Sequence, residues 1–219
     1  MKTKWKEEEL KEFEEELAKA FEAGKINCPL HLSGGNEGDL IHIFDGIQEK
    51  DYVISTHRNH YHYLLKGGDE KKLLDEIYGK KSGVCGGNAR SMNVIDPSIN
   101  FYASAIVAGG CAIAVGIALG LKKRETGKKK NKAHVWCFVG DAVLDGGHFW
   151  EALQYAQGYD LPITFIIEDN DRSTCTSLKD RLGPYRYQLR NSIIGSNKVI
   201  YYQYTAKYPH VGSGKYIAF

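Results

Sequence analysis

From Val135 to Val139 the chain reads VWCFV, an apolar run rich in β-branched and aromatic residues that ends at Gly140-Asp141. That is the pattern of a strand buried on both faces. After Gly146-Gly147, the residues Phe149, Trp150, Leu153 and Ala156 recur at helical spacing up to Gly158. Leu161-Pro162 restarts the chain, Ile163 to Ile167 is a second apolar run, and Glu168-Asp169-Asn170-Asp171 follows it. A strand, helix, strand unit of about 30 residues closes as a right-handed crossover with parallel strands, so both strand tips reach one sheet edge. The expected fold class is therefore α/β, a parallel sheet flanked by helices on both faces.

Asp141 and Asn170 then share that edge, where open α/β sheets bind their ligands. A carboxylate and an amide oxygen suit a hard cation such as Mg²⁺, which in turn favours phosphate oxygens. Gly146 and Gly147 let the amide-rich start of the helix approach such an anion. The plainer reading makes Gly-Asp and Asp-Asn-Asp loop punctuation. A calcium loop starting at Asp169 is disfavoured, because Thr174 stands where that loop needs Gly and Asp180 where it needs Glu.

The arrangement resembles the thiamine diphosphate motif, Gly-Asp-Gly and then Asn-Asn about two dozen residues on. Here it stands as Gly140-Asp141-Ala142, 26 residues, then Asp169-Asn170. The resemblance implies Mg²⁺ ligation by Asp141, Asn170 and the main-chain carbonyl of Arg172, with Gly140 and Ala142 beside the cofactor. Ala142 and Asp169 depart from the motif at positions that are not metal ligands in the family. Other segments are similar to the alpha subunits of the decarboxylating component of 2-oxo acid dehydrogenases. His31-Leu32-Ser33 with Gly34-Gly35 and Glu37 is one, and Ser91-Met92-Asn93 stands where the family has Ser-Met-His.

After the short strand Tyr52–Ser55 comes His57-Arg58-Asn59-His60. The family there has an aromatic residue, Arg, any residue and His, with the aromatic residue and Arg on the diphosphate, so His57 and Arg58 are implied in cofactor binding. Arg's forked donors suit that anion. His60 is either catalytic or a satisfied structural histidine. His57, His60 and His62 also raise a zinc site, but no cysteine or carboxylate lies within the segment to complete one. Ile106-Val107 matches the segment whose main chain holds the aminopyrimidine, through the Val107 amide and the Ala105 carbonyl. The alternative is plain core. The helix from Ala108 to Leu121 (AGGCAIAVGIALGL) is small-residue-rich, which implies close backbone packing. His210, in Lys207 to Gly212, stands near the family's substrate-facing histidine, or is a surface residue.

At 219 residues, with 42% hydrophobic and 26% charged content, the chain fits one diphosphate-binding-type domain. Residues 1–24 form an N-terminal helix, with Leu10, Phe13, Leu17 and Phe21 on one face, and 178–219 a divergent C-terminal portion. A net charge of +2 gives no sign of nucleic-acid binding, and the basic run ending at Lys132 reads as a solvated loop. Five cysteines, no signal-peptide start and no span-length apolar segment lead to an expected cytoplasmic location away from membranes.

The resemblance implies a cofactor ylid that attacks a carbonyl carbon, with loss of CO₂ from a 2-oxo acid or cleavage of a carbon–carbon bond. Ylid formation needs a glutamate from a pyrimidine-binding domain, for which the chain has no room, so a beta-type partner in an α₂β₂ assembly is expected. The N-terminal half of a split transketolase, transferring a ketol unit, and a non-catalytic scaffold subunit are the alternatives.

Overall fold

In the computed structural model, residues 4–124, 132–193 and 195–214 are described. The central lysines of the basic run, Lys128-Lys129-Lys130, lie outside them. In chain order the elements are α1 (Glu7–Glu22), α2 (Glu37–Asp45), β1 (Tyr52–Ser55), α3 (His60–Leu65), α4 (Glu70–Ile77), β2 (Ile95–Asp96), β3 (Phe101–Ala103) and α5 (Gly109–Arg124). There follow β4 (Val135–Gly140), α6 (Gly147–Gly158), β5 (Ile163–Asp169), β6 (Arg172–Ser173), β7 (Thr176–Ser177), α7 (Leu178–Leu182), α8 (Tyr185–Ile193) and β8 (Val199–Gln203). They form two compact units, one of residues 1–49, 55–105 and 205–219, the other of 50–54 and 106–204.

The second unit carries the parallel sheet, in the order β1-β4-β5-β8. Val135 pairs with Ile163 and Gly140 with Glu168, so β4 and β5 run in register to a common C-terminal edge. Phe165, Ile166 and Ile167 are fully buried on successive positions. Both pleat faces of β5 are therefore covered, as its uninterrupted apolar sequence requires. Asp51 fixes the start of the sheet by accepting from the His134 amide at 3.0 Å and from Trp136 Nε1 at 3.1 Å.

α5 packs on β4, β5 and α6. Close packing explains only part of its glycine content. A Cβ on Gly110 would lie 2.7 Å from Ile54 Cγ2, but at Gly116 and Gly120 it would meet nothing within 4 Å among the described residues. The expectation of close backbone packing along the whole helix is thus corrected. Nothing in the structure explains those two glycines.

In the first unit the amphipathic α1 buries Leu10, Phe13, Leu17 and Phe21, and with them Glu14. α2 packs against α1 and α3, and β2 and β3 pair antiparallel. No helix among the described residues is long and apolar enough to cross a membrane.

Candidate functional site

Asp141 leaves β4 at the edge where Asn170 leaves β5, because the register is parallel and Gly140 pairs with Glu168. The chain turns at once into a 3₁₀ segment, Asp141–Asp145, which Trp150 ties to α6 by donating from Nε1 to the Leu144 carbonyl at 2.9 Å. Ala142 sits inside this turn and is not among the residues with positive φ. The motif's second glycine is therefore dispensable here. Asp141 is 2% exposed, and its Oδ2 is buried without a hydrogen-bond partner among the described residues. Burial holds its carboxyl well above the usual carboxylate range, and the neighbouring Asp169 carboxylate adds to the rise.

Asp169 stands where the motif has Asn, and the structure supplies a reason it is tolerated. Its Oδ1 accepts from the Asp171 amide at 2.8 Å, and its Oδ2 is bound by Arg190, by the Tyr201 hydroxyl and by Gln203 Nε2 at 3.4 Å. Arg190, itself only 8% exposed, also reaches Asp171 Oδ1 at 3.2 Å. The extra negative charge is thus neutralised within the fold. Asn170 accepts from the Arg172 amide at 3.1 Å through Oδ1, which fixes that oxygen and leaves a second lone pair for a cation. Gly147, the first residue of α6, follows Gly146, and no side chain caps the helix start. Its leading amides are not spent on a capping side chain. An orphaned buried carboxylate oxygen, a fixed amide oxygen and an uncapped helix start suit a divalent cation carrying a phosphate group.

The remaining candidates lie in or at the border of the first unit. Arg58 is 9% exposed, with Nη1 donating to the Leu32 carbonyl and Nη2 to the Pro209 carbonyl at 3.3 Å. Two of its five N–H donors bind backbone oxygens, so it clamps two loops together. His60 is fully buried, with Nδ1 3.3 Å from Glu14 Oε1 and Nε2 2.9 Å from Ser91 Oγ. Of its two readings this geometry favours the satisfied structural histidine. His62 pairs with Ser55 Oγ at 2.7 Å, so His57, His60 and His62 do not converge on one ion. Val107 is 67% exposed, which removes the core alternative for it, and the Ala105 amide donates to Asn93 Oδ1 at 3.0 Å.

His57 meets partners distant in sequence. Its ring centroid lies 5.0 Å from that of His31 and 5.3 Å from that of His210. Burial lowers His31 to about 4 and His57 to about 3, with the other imidazoles and Arg58 pushing the same way. An unfolded imidazole titrates near 6.5, so between about 3 and 6.5 the unfolded chain binds more protons at these positions. The stability they carry is complete above about 6.5 and lost as pH falls through the folded values. Thermal melts from pH 7 to 4 should therefore show His57→Phe losing less stability than wild type on acidification, because the variant lacks one of these rings. Parallel curves would contradict the assignment.

One residue of structural weight escaped the sequence reading. Glu76, on the inner face of α4, is fully buried. Its Oε2 accepts from the amides of Cys85 at 2.7 Å and Gly87 at 2.9 Å, and its Oε1 from Ala89 at 2.7 Å and Arg90 at 3.1 Å. One carboxylate thus shapes the glycine-rich loop. Gly83 permits the approach, since a Cβ there would lie 2.5 Å from Glu76 Cα. The available signal was an acidic residue between Leu73 and Ile77 on the apolar stripe of a helix.

Comparison with known proteins agrees with this architecture. The family described as "Dehydrogenase E1 component" matches residues 5–183. The alpha subunit of acetoin:2,6-dichlorophenolindophenol oxidoreductase from Bacillus subtilis (strain 168) is 33% identical over 187 residues, covering 81% of this chain and 55% of that protein. The same subunit from Cupriavidus necator is 36% identical over 169 residues, 77% of this chain and 49% of its own. The pyruvate dehydrogenase E1 component subunit alpha of Porphyra purpurea is 33% identical over 161 residues, 72% and 47% respectively. The chain spans about half the length of these relatives. With the family's match extending from α1 through the two strand tips to α7, the chain belongs to the dehydrogenase E1 component family.

Proposed function

We propose that this chain is the diphosphate-binding, alpha-type part of a thiamine diphosphate- and Mg²⁺-dependent enzyme acting on a 2-oxo acid. It works with a beta-type partner that carries the pyrimidine-binding domain, in an α₂β₂ assembly. The observation that carries the reading is the buried, unpartnered Oδ2 of Asp141 beside a parallel strand tip bearing Asn170. Membership of the dehydrogenase E1 component family supports thiamine diphosphate as the cofactor. Alpha subunits among the relatives support a partner chain.

Asp141, Asn170 Oδ1 and the Arg172 carbonyl would hold the ion, and the first amides of α6 the phosphate end. Bound thiamine diphosphate supplies the nucleophile and electron sink for cleaving the bond next to a carbonyl. The protein's share is positional. Arg190 ties the Asp169 carboxylate down by an ion pair, and Arg58 holds the loops bearing His31 and His210 in place.

Calorimetric titration with thiamine diphosphate, with and without Mg²⁺, tests the site. Saturable binding only with Mg²⁺ is expected, and none under either condition would return the chain to the scaffold reading. Turnover of 2-oxo acids should require the partner, and full turnover by this chain alone would refute that part.

A further inference from the structure

We propose that His31, His57 and His210 form a second metal site, for a zinc-class divalent cation, with three imidazole ligands and a fourth position open to water or an anionic oxygen. Among the described residues they form the group of histidine, cysteine or acidic side chains whose ligand atoms all lie within 4.8 Å of one another. Two of the rings display unused coordinating atoms. His31 is 5% exposed, and its Nδ1 has no hydrogen-bond partner among the described residues; nor has the buried His57 Nε2. A buried ring nitrogen left without a partner normally costs stability, and a metal ion would satisfy both at once.

The backbone brings the three together from distant parts of the sequence. The Lys207 amide donates to the Gly34 carbonyl at 3.0 Å and the Gly212 amide to the Leu30 carbonyl at 2.8 Å, pinning the His210 loop to the His31 loop. Gly35, at φ +101°, makes the close approach possible, since a Cβ there would overlap the Thr205 carbonyl oxygen at 2.1 Å. Arg58, next to His57, ties the carbonyls of Leu32 and Pro209, which are the residues after His31 and before His210.

Ligand type selects the ion. Neutral imidazole suits Zn²⁺, Cu²⁺ or Ni²⁺, whereas Mg²⁺ and Ca²⁺ demand oxygen donors. Tetrahedral zinc with bonds of about 2.0–2.1 Å sets its nitrogens about 3.3 Å apart, so the rings must close by up to about 1.5 Å. His210, on a half-buried loop, is the member best able to move. The Arg58 charge opposes a bare cation and favours an anion in the open position. The site shares His57 and His210 with positions that the resemblance sets near cofactor and substrate but uses no atom of Asp141 or Asn170, so a metal titration without thiamine diphosphate tests it apart from that reading.

The test is titration of the purified, metal-free chain with Co²⁺, read by the visible bands of tetrahedral cobalt, followed by displacement with Zn²⁺. One equivalent should bind, and His57→Phe and His210→Gln should each weaken binding at least ~10-fold. The exposed residues His42 and His148 serve as controls, and changing either to Gln should leave the titration unaltered. X-ray absorption of the zinc-loaded wild type should give three nitrogen ligands at about 2.0–2.1 Å, a readout that needs no variant to fold. Absence of a saturable cobalt spectrum, equal affinity in folded His57→Phe and His210→Gln, or fewer than three imidazoles around zinc would each overturn the site.

Discussion

Replacing Glu76 with alanine is expected to lower the melting temperature by roughly 6–20 °C, from a loss of about 3–5 kcal/mol. The carboxylate is fully buried, and four backbone amides, those of Cys85, Gly87, Ala89 and Arg90, converge on its two oxygens. Alanine leaves all four donors without their acceptor, and hydrogen bonds to a charged group are worth more than neutral ones. The loss does not reach the sum of the four, because the loop is only partly buried and water replaces some of the bonds. Glu76→Gln separates shape from acceptor capacity. It keeps the volume but presents one acceptor oxygen and an NH₂ group that faces donors, so it should cost about half as much or more. Scanning calorimetry of the two variants checks this, and a Glu76→Ala melt within about 2 °C of wild type would show that the loop does not depend on this anchor.

Asp141→Asn should reduce the Mg²⁺-dependent affinity for thiamine diphosphate at least ~100-fold, about 2.7 kcal/mol, while leaving the cofactor-free protein as stable as before or more so. The two effects have opposite signs because the same carboxylate is costly without a cation and needed with one. Asp141 is buried next to the Asp169 carboxylate, and its Oδ2 has no partner among the described residues, an arrangement that burial and like-charge repulsion both disfavour. An amide of the same shape cannot ionise and so escapes both penalties. Bound to a divalent ion, the carboxylate contributes a full negative charge, and the neutral amide oxygen is a poorer ligand. Calorimetric titration paired with thermal melts measures both quantities. If Asp141→Asn binds the cofactor as wild type does, the ion is held elsewhere and the proposed function loses its central support.

The parallel α/β unit and the shared edge of Asp141 and Asn170 were legible in the residues alone. Both follow from local information: two uninterrupted apolar runs, a helical stripe between them, and a handedness rule that allows one closure. The parallel pairing of β8 with β5 was not legible in it. Tertiary structure decided everything that depends on which distant side chains meet. His57 lies close in sequence to His60 and His62, yet its ring faces His31 and His210, while His60 turns to Glu14 and Ser91. Arg58, whose fork suits a diphosphate, instead binds two backbone carbonyls, and Asp169 is made tolerable by Arg190 and Tyr201 from later elements. The reason is physical: periodicity reports which face of an element is buried, but a buried polar group must find its partner in three dimensions, and sequence spacing does not encode that choice.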